Sequence, residues 1–485
     1  MYVDQNDPLV NVPVSHPVQP GRGFQFRFSE RRVLLILVDS LMVALAAWGA
    51  GVLWLQPVDW SLTGPVLLQY WYWFPLLLGG WWFLAWLNDL YDVPSSDNTT
   101  LSAIRVVIAG GASFVAYALI HVLRPNTPNP LLFAYYLGLV MPAIALWRWG
   151  YAIVFDRPPF LHRVLIVGGG DRGRVLADIL CQRPGVTCRV MGYVDDSATG
   201  EGILPEGVPR VGQEADLAQL AEELRVNEIV IAKEHELDRS LFQVLVDCQA
   251  RGVRVCWMPD LYGKYYRQIP MQYVDPAWAL HAVQGRRIFS RLQQLSKRLM
   301  DLVLVVLALP FLLFFFLPVA VAIRLDSSGP VFYRQIRSGR GNKLFCIFKF
   351  RTMHVDAEKD GKARWATEND PRITRVGRFL RKSRLDELPQ VINVLCGEMS
   401  LVGPRPERPE FVEMLQESVP FYRTRLMVKP GLTGWAQVHY NYGNSQEDAA
   451  IKLQYDFYYI HHWSLWLDLY VLYRTVGVVA RFKGT

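Results

Sequence analysis

Between Arg378 and Gln390 the chain reads Arg-Phe-Leu-Arg-Lys-Ser-Arg-Leu-Asp-Glu-Leu-Pro-Gln, which sets adjacent carboxylates, Asp386 and Glu387, behind a run of cations. Pro389 suits the first turn of the apolar helix Gln390–Leu395, so the spacing predicts both carboxylates just ahead of a helix N-terminus. Amide donors and the positive dipole end there lower carboxylate pKa and attract phosphate. Two such carboxylates amid arginines can divide labour: one attacks phosphorus while the other holds a Mg²⁺ ion that neutralises a diphosphate. The competing account is structural, with Asp386 capping the helix and surface ion pairs to Arg381 or Arg384. Downstream, Gly403-Pro404-Arg405-Pro406 is a rigid turn presenting one guanidinium. Such a group can fork onto two phosphate oxygens, although a plain loop with a solvated arginine fits the same residues.

These residues sit in a chain of 485, too long for one ordinary core and long enough for about three domains. Hydrophobic residues make up 51% and aromatics 13%, which excludes a disordered protein and puts a membrane protein first. The net charge of +7 suits an anionic partner. The six cysteines contain no C-x-x-C pair and the nine histidines no H-E-x-x-H spacing, so neither a disulfide framework nor a zinc site is expected.

Residues 1–32 are polar and proline-broken, and read as a flexible tail. Val33–Gln56, Val66–Leu87, Leu101–Leu123 and Leu131–Phe155 are each long enough to cross a hydrocarbon core of about 30 Å, giving a four-span domain over 33–156. Arg22, Arg27, Arg31 and Arg32 precede the first span, the 57–65 loop has no Lys or Arg, and Arg148, Arg157 and Arg163 surround the end of the fourth. The bias places both ends of this domain in the cytoplasm, against the acidic loop Asp89, Asp92, Asp97 and against Arg124.

From 157 to 284 the period changes. Arg163–Val167 reads as a strand, Gly168-Gly169-Gly170-Asp171-Arg172-Gly173 as a turn, and the segment through Leu180 as a helix. Strand-like runs at Arg189–Val194, Glu228–Ala232 and Val253–Met258, with helical segments at Glu214–Leu224 and Arg239–Arg251, predict a Rossmann-like parallel α/β domain. Gly168, Gly170 and Gly173 match a dinucleotide loop, and Asp195 or Asp196 stands where a ribose-binding acid would. Redox chemistry of the short-chain dehydrogenase kind needs Tyr-x-x-x-Lys, and no lysine here has a tyrosine four residues before it. The glycines are equally consistent with tight helix–strand packing and no ligand.

A fifth oily run, Leu302–Ile323, contains Pro310 and Pro318 and has arginine and lysine on both flanks. A crossing would leave one cationic cluster outside, so the reading is a re-entrant helix, about 295–324, that enters from the cytoplasmic side, breaks near Pro310 and returns. Arg324–Lys382 holds fifteen Lys and Arg against six Asp and Glu, a positive skin for anionic lipid, a pocket for phosphates, or both. Tyr455–Phe482 mixes aromatics with Asp468 and Arg474 and reads as an interfacial helix.

Lys297-Arg298-x-x-Asp301, Lys349-Phe350-Arg351-Thr352-Met353, Asn369-Asp370-Pro371-Arg372-Ile373-Thr374, Leu385–Gln390, Met399–Glu407 and Lys429-Pro430-Gly431-Leu432-Thr433-Gly434 together resemble the bacterial sugar transferase family, the monotopic polyprenyl-phosphate phosphoglycosyl transferases. The match is dense over 290–485, and the preceding domains are similar to the long members that start exopolysaccharide, capsule or O-antigen units. The resemblance implies a catalytic domain over 285–485 and a two-step exchange. Asp386 would take a hexose phosphate from a UDP-hexose, releasing UMP, and undecaprenyl phosphate would collect it. It further implies that Glu387 binds Mg²⁺ beside Asp386 and that Arg405, with Arg351, Lys349 and Arg381, binds phosphate or nucleotide. Lys297, Arg298 and Asp301 would anchor the membrane helix that Pro310 breaks. Arg384, Glu407–Phe411 and Pro430–Gln437 look more like the glucose-transferring branch than the galactose one. The implied setting is the bacterial inner membrane, active site on the cytoplasmic face, in contact with inner-membrane lipid, as a homodimer and without nucleic acid. A membrane-bound nucleotide-sugar oxidoreductase and a non-catalytic assembly scaffold are the alternatives.

Overall fold

The computed structural model describes residues 28–54, 73–91, 99–123, 129–155, 162–182, 188–196, 208–233, 237–284, 290–357, 370–440 and 445–480. Residues 1–27, the 57–65 loop, Asp92, Asp97, Arg124, Arg157 and Asn369, all used in the expectations above, lie outside them. The chain divides into two compact units, Met1–Leu161 with Pro184–Thr187, and His162–Arg183 with Cys188–Thr485.

The first unit contains α1 (Phe28–Trp54), α2 (Trp73–Leu87), α3 (Thr99–Leu123) and α4 (Pro130–Phe155). Helices α1, α3 and α4 are long and apolar enough to cross a membrane, whereas the described part of the expected second span, α2, is shorter. Leu37, Leu41 and Leu45, one helical turn apart along α1, remain exposed, while Leu35, Val43, Ile144 and Tyr151 are buried between helices. Arg148, counted above among the flanking cations, lies inside α4 and pairs with Asp39 of α1 at 2.6 Å, the two side chains 1% and 0% exposed. It also donates to the carbonyl of Leu90 at 2.6 Å. An arginine spent on an internal partner carries no information about which side of the membrane a helix end occupies.

The second unit opens with a parallel sheet: β1 (His162–Val167), α5 (Asp171–Gln182), β2 (Cys188–Val194), β3 (Arg210–Gly212), α6 (Leu217–Glu223), β4 (Glu228–Ile231), α7 (Arg239–Ala250) and β5 (Arg254–Trp257). Every strand pair is parallel and the order is β3-β2-β1-β4-β5, so the order reverses at β1/β4, beside the glycine loop. Continuous apolar strands such as Val164–Val167 are buried on both faces, as crossover helices require. The three-residue β3 was not foreseen; it is too short to show a period.

Helices α8 (Met258–Tyr266) and α9 (Pro276–Gln284) follow. Ile269, Trp278 and Ala279 share a core with Val412, Tyr422, Leu453 and Phe457, so the border expected at 284 falls inside one hydrophobic cluster.

Helix α10 (Arg291–Asp326) runs for 36 residues with Pro310 and Pro318 inside it. The interruption expected at Pro310 does not end the helix, since proline deletes one donor and can bend a helix without terminating it. Its middle is bare: Val306, Leu307, Phe311, Leu313, Phe314 and Leu317 are all more than half exposed. Beyond it come the hairpin β6 (Phe332–Ser338) and β7 (Leu344–Phe350), α11 (Arg375–Ser383), a 3₁₀ turn (Leu385–Gln390), α12 (Val391–Cys396), β8 (Ser400–Val402), α13 (Pro409–Ser418), β9 (Gly431–Thr433), α14 (Trp435–His439), α15 (Gln446–His462) and α16 (Leu465–Ala480). The segment expected as one interfacial helix from Tyr455 is therefore two, divided at Trp463-Ser464. Asp468, taken above as a mark of an interfacial helix, is fully buried as the counter-ion of Lys297 at 2.6 Å.

Candidate active site

Helix α11 ends where Arg384 takes a left-handed conformation (φ 55°, ψ 17°), and the chain turns at once into the 3₁₀ segment. Asp386 and Glu387 thus lie within the first turn of that segment, which leads directly into the expected apolar helix, α12, at Val391. Leu385 and Leu388 face inward against a cluster that includes Val319, Ile323, Phe350 and Leu380, which fixes the turn on α10 and β7. Asn393, one turn into α12, staples it to the strand: its side-chain amide donates to the carbonyl of Cys346 at 2.7 Å and accepts from Phe348 N–H at 3.1 Å.

This arrangement brings three cations from separate elements to the two carboxylates. Lys349 of β7 reaches Glu387 Oε1 at 3.3 Å. Arg405 forks onto the same carboxylate, at 2.5 Å to Oε1 and 3.2 Å to Oε2. Arg381 of α11 donates through Nε to Thr352 Oγ1 at 3.0 Å, and its charge acts on Asp386. Both carboxylates are buried, Asp386 at 8% and Glu387 at 7% exposure, yet among the described residues Asp386 makes no hydrogen bond or ion pair. The capping role for Asp386 therefore has no bond behind it.

Burial, and then the negative charge of Glu387, raise Asp386 to about 6 against the opposing pull of Lys349, Arg381 and Arg405. Burial acts on Glu387 in the same sense, but Arg405 and Lys349 outweigh it and hold this carboxyl far below the usual range. At neutral pH both are ionised. Glu387 is fully committed to its cations, whereas Asp386 is a desolvated carboxylate with free oxygens in a cationic surround, the condition in which a carboxylate is a useful nucleophile.

The Arg405 turn is built from pairing at a distance. Parallel pairing of β8 with β9 (Ser400↔Gly431, Val402↔Thr433) presses Gly403 against the neighbouring backbone, where a β-carbon would lie 2.5 Å from the carbonyl of Lys429. Arg425 donates to the carbonyl of Arg405 at 3.0 Å and is itself paired with buried Asp456 at 3.1 Å. Neither Arg425 nor Asp456 was singled out in the sequence, since Arg425 reads as one of two spaced arginines and Asp456 as an isolated charge in an aromatic stretch.

The remaining expected residues divide. Arg351 donates to the carbonyls of Ser327 and Ser328, each at 2.7 Å, and so closes the C-terminal end of α10 instead of joining Lys349 at the carboxylates. Lys297 donates to the carbonyl of Val402 at 3.1 Å besides its pairing with Asp468, Arg298 donates to the carbonyls of Val394 and Leu395, and Asp301 accepts from Leu401 N–H at 3.2 Å. Pro310 lies in the bare stretch of α10. In the sheet, Gly168 ends β1, the Gly170 carbonyl accepts from Arg174 N–H, and Gly173 packs so closely that a β-carbon would meet the Gly168 carbonyl at 2.2 Å. The Gly169 N–H of this loop is taken by Asp195 Oδ2 at 2.9 Å.

Among the described residues no group of three or more His, Cys, Asp or Glu gathers to hold a metal. Of the Asp386–Glu387 pair only Asp386 has oxygens open to Mg²⁺, which binds through one or two carboxylates and completes its shell with waters and phosphate oxygens; Glu387 would have to release Arg405 or Lys349 to join it.

Two family profiles match the chain: that described as bacterial sugar transferase over residues 292–482, and that described as CoA-binding domain over residues 87–259. The chain is 30% identical over 485 residues to an undecaprenyl-phosphate glucose phosphotransferase of Komagataeibacter xylinus, covering 95% of this chain and 87% of that protein. It is 35% identical over 320 residues to a UDP-glucose:undecaprenyl-phosphate glucose-1-phosphate transferase of Xanthomonas campestris pv. campestris, covering 65% of this chain and 66% of that protein. Over 201 residues it is 45% identical to a UDP-N-acetylgalactosamine-undecaprenyl-phosphate N-acetylgalactosaminephosphotransferase of Aeromonas hydrophila, covering 41% of this chain and 47% of that protein. The chain thus spans about half of the Aeromonas protein and just under two thirds of the Xanthomonas one.

Proposed function

The chain belongs to the bacterial sugar transferase family, and from that premise we propose that it moves a hexose-1-phosphate from a UDP-hexose to undecaprenyl phosphate through a covalent intermediate on Asp386. The observation that carries this reading is the unpaired, buried carboxylate of Asp386 beside a Glu387 whose oxygens are already held by Arg405 and Lys349.

An oxygen of Asp386 attacks the sugar-side phosphorus. The bond from that phosphorus to the bridging oxygen breaks, its electron pair departs with UMP, and an aspartyl–phosphohexose anhydride remains. A phosphate oxygen of undecaprenyl phosphate then attacks the same phosphorus and returns the electron pair to the Asp386 carboxylate. Lys349, Arg381 and Arg405 offset charge as it moves between phosphate oxygens, a stabilisation made strong by the dry site. Glu387 fixes Arg405 and Lys349 in place. Mg²⁺, held by Asp386 and by a Glu387 oxygen that Lys349 gives up, would supply neutralisation of the diphosphate when bound.

Helix α10 is proposed to dip into the inner membrane and return, leaving the site at headgroup level on the cytoplasmic face. In support, both of its ends are fastened to the same body. The first turns are held through Lys297, Arg298 and Asp301, and the last through Asp326, which accepts from Val376 N–H at 3.0 Å, and through Val319 and Ile323 in the core beneath the 3₁₀ turn. Glucose is the proposed sugar, as in the names of the Komagataeibacter and Xanthomonas relatives.

The test is UMP release by the full chain with undecaprenyl phosphate and, in turn, UDP-glucose, UDP-galactose and UDP-N-acetylgalactosamine. UDP-glucose is expected to give the fastest release and Asp386→Asn to abolish it with membrane insertion intact. Wild-type turnover by Asp386→Asn would overturn the role of Asp386, and faster release from another donor would overturn the choice of glucose.

A further inference from the structure

Gly397 closes α12 in a left-handed conformation (φ 82°) and leaves a space where other residues carry a β-carbon. Two cations from distant parts of the chain face that space: Arg298 Nη2 lies 3.5 Å and Lys429 Nζ 3.6 Å from the position a β-carbon would take. Arg298 is held by the carbonyls of Val394 and Leu395 at the negative end of α12. Lys429 is half-buried and, among the described residues, makes no hydrogen bond or ion pair. Burial, and then Arg298, Arg340 and Lys297, push its pKa down, with Asp301 opposing them.

The nearby acids are engaged elsewhere. Asp301 accepts from Leu401 N–H at 3.2 Å, Asp468 pairs with Lys297 at 2.6 Å, and Glu398, next to Gly397, accepts from Asn393 at 2.7 Å. Three cations, Arg298, Arg340 and Lys297, bear on Lys429 against the single acid Asp301, and such an excess opposes folding unless an anion completes it. Along α10 from this point, Leu295, Leu299, Val303 and Val306 form an exposed apolar stripe at helical spacing, able to receive an acyl chain.

We propose that Arg298 and Lys429, beside Gly397, together with Arg340, bind the phosphate of an anionic membrane phospholipid at the foot of α10. The site is distinct from the reacting centre. Gly397 is separated from Asp386 by the rest of the 3₁₀ turn and all of α12, about 20 Å of helical path, and the cations acting on Asp386 are Lys349, Arg381 and Arg405. The acceptor phosphate, which must touch the aspartyl phosphorus, belongs there instead. This inference rests on α10 lying in a bilayer and not on the transfer reaction.

The full chain is placed in nanodiscs of phosphatidylcholine and phosphatidylglycerol in equal parts, and retained lipid is counted by native mass spectrometry. Phosphatidylglycerol is expected to be enriched, and the enrichment to fall about fivefold in Lys429→Gln and again in Arg340→Gln, with Lys429→Arg restoring it. UMP release from donor alone is expected to match wild type in both variants. Unchanged enrichment in the double variant, or failure of Lys429→Arg to restore it, would overturn the site. In a second arm, undecaprenyl phosphate is added to discs of phosphatidylcholine. Retention of it that depends on Lys429 and exceeds that of phosphatidylglycerol would assign the site to the acceptor and overturn the choice of phospholipid. A wild type that binds phosphatidylglycerol but releases no UMP would sink the proposed reaction and leave the lipid site standing.

Discussion

Glutamine at position 387 keeps the outline of glutamate and removes its charge, so Glu387→Gln isolates one electrostatic link in the site. Asp386 stands at about 6 because of burial first and Glu387 second. For side chains of neighbouring residues, taken as about 6 Å apart in an effective dielectric of about 20, two carboxylates repel by ~3 kcal/mol, equivalent to about two pKa units. The substitution also frees Arg405 and Lys349 to act on Asp386 alone, which pulls the same way. Only the ionised carboxylate attacks, so wild-type turnover with donor falls as pH drops through about 6. In Glu387→Gln that falling limb moves at least about one unit lower. The rate at neutral pH falls as well. The bonds at 2.5, 3.2 and 3.3 Å each lose their ionic partner. At about 1 kcal/mol apiece this loosens Arg405 and Lys349 enough for up to about a hundredfold slowing. Single-turnover UMP release from UDP-glucose without lipid acceptor, followed across pH, reads both effects. A limb that stays in place or moves upward would refute the reasoning, because the titrating nucleophile would then not feel the charge beside it.

Gly403→Ala is expected to part β8 from β9, since the new β-carbon would sit 2.5 Å from the Lys429 carbonyl and 2.9 Å from Gly431 N. A displacement of about 1 Å at Arg405 corresponds to roughly a hundredfold loss of turnover, with KM for UDP-sugar raised. Asn393→Ala leaves the half-buried Cys346 carbonyl and Phe348 N–H without their partner. The cost is about 2–4 kcal/mol, seen as a lower Tm together with slower UMP release as the Lys349 strand loosens. In the membrane bundle, Asp39→Leu strands the buried Arg148 at a cost of about 3–5 kcal/mol, and adding Arg148→Met recovers most of it. Thermal unfolding in detergent checks this, and a double variant no better than the single one would contradict it.

The adjacency of Asp386 and Glu387 among arginines was legible in sequence because local crowding of charge is itself the signal. The alternation of strand, glycine turn and helix after His162 was legible for the same kind of reason. Partnerships across the chain were not. Lys349 and Arg351 are two residues apart and would share a face if the strand continued, but β7 stops at Phe350. Lys349 turns to Glu387 and Arg351 to the end of α10. Asp468 entered the sequence reading only as a mark of an interfacial helix and Asp456 not at all, and each is the buried counter-ion of a distant cation, Lys297 and Arg425. Their burial follows from packing of elements far apart in sequence, which no local pattern encodes. The same is true of Arg148, whose partner Asp39 lies on another helix.

The central claim is that the carboxylate of Asp386 becomes esterified by a sugar phosphate. Intact-mass and peptide mass spectrometry of the full chain, quenched after exposure to UDP-glucose without lipid acceptor, tests it most directly. A hexose-phosphate adduct on the peptide carrying Asp386, labile to hydroxylamine and discharged by undecaprenyl phosphate, is the result expected. UMP release with no adduct on that peptide, or an adduct that persists in Asp386→Asn, would contradict it.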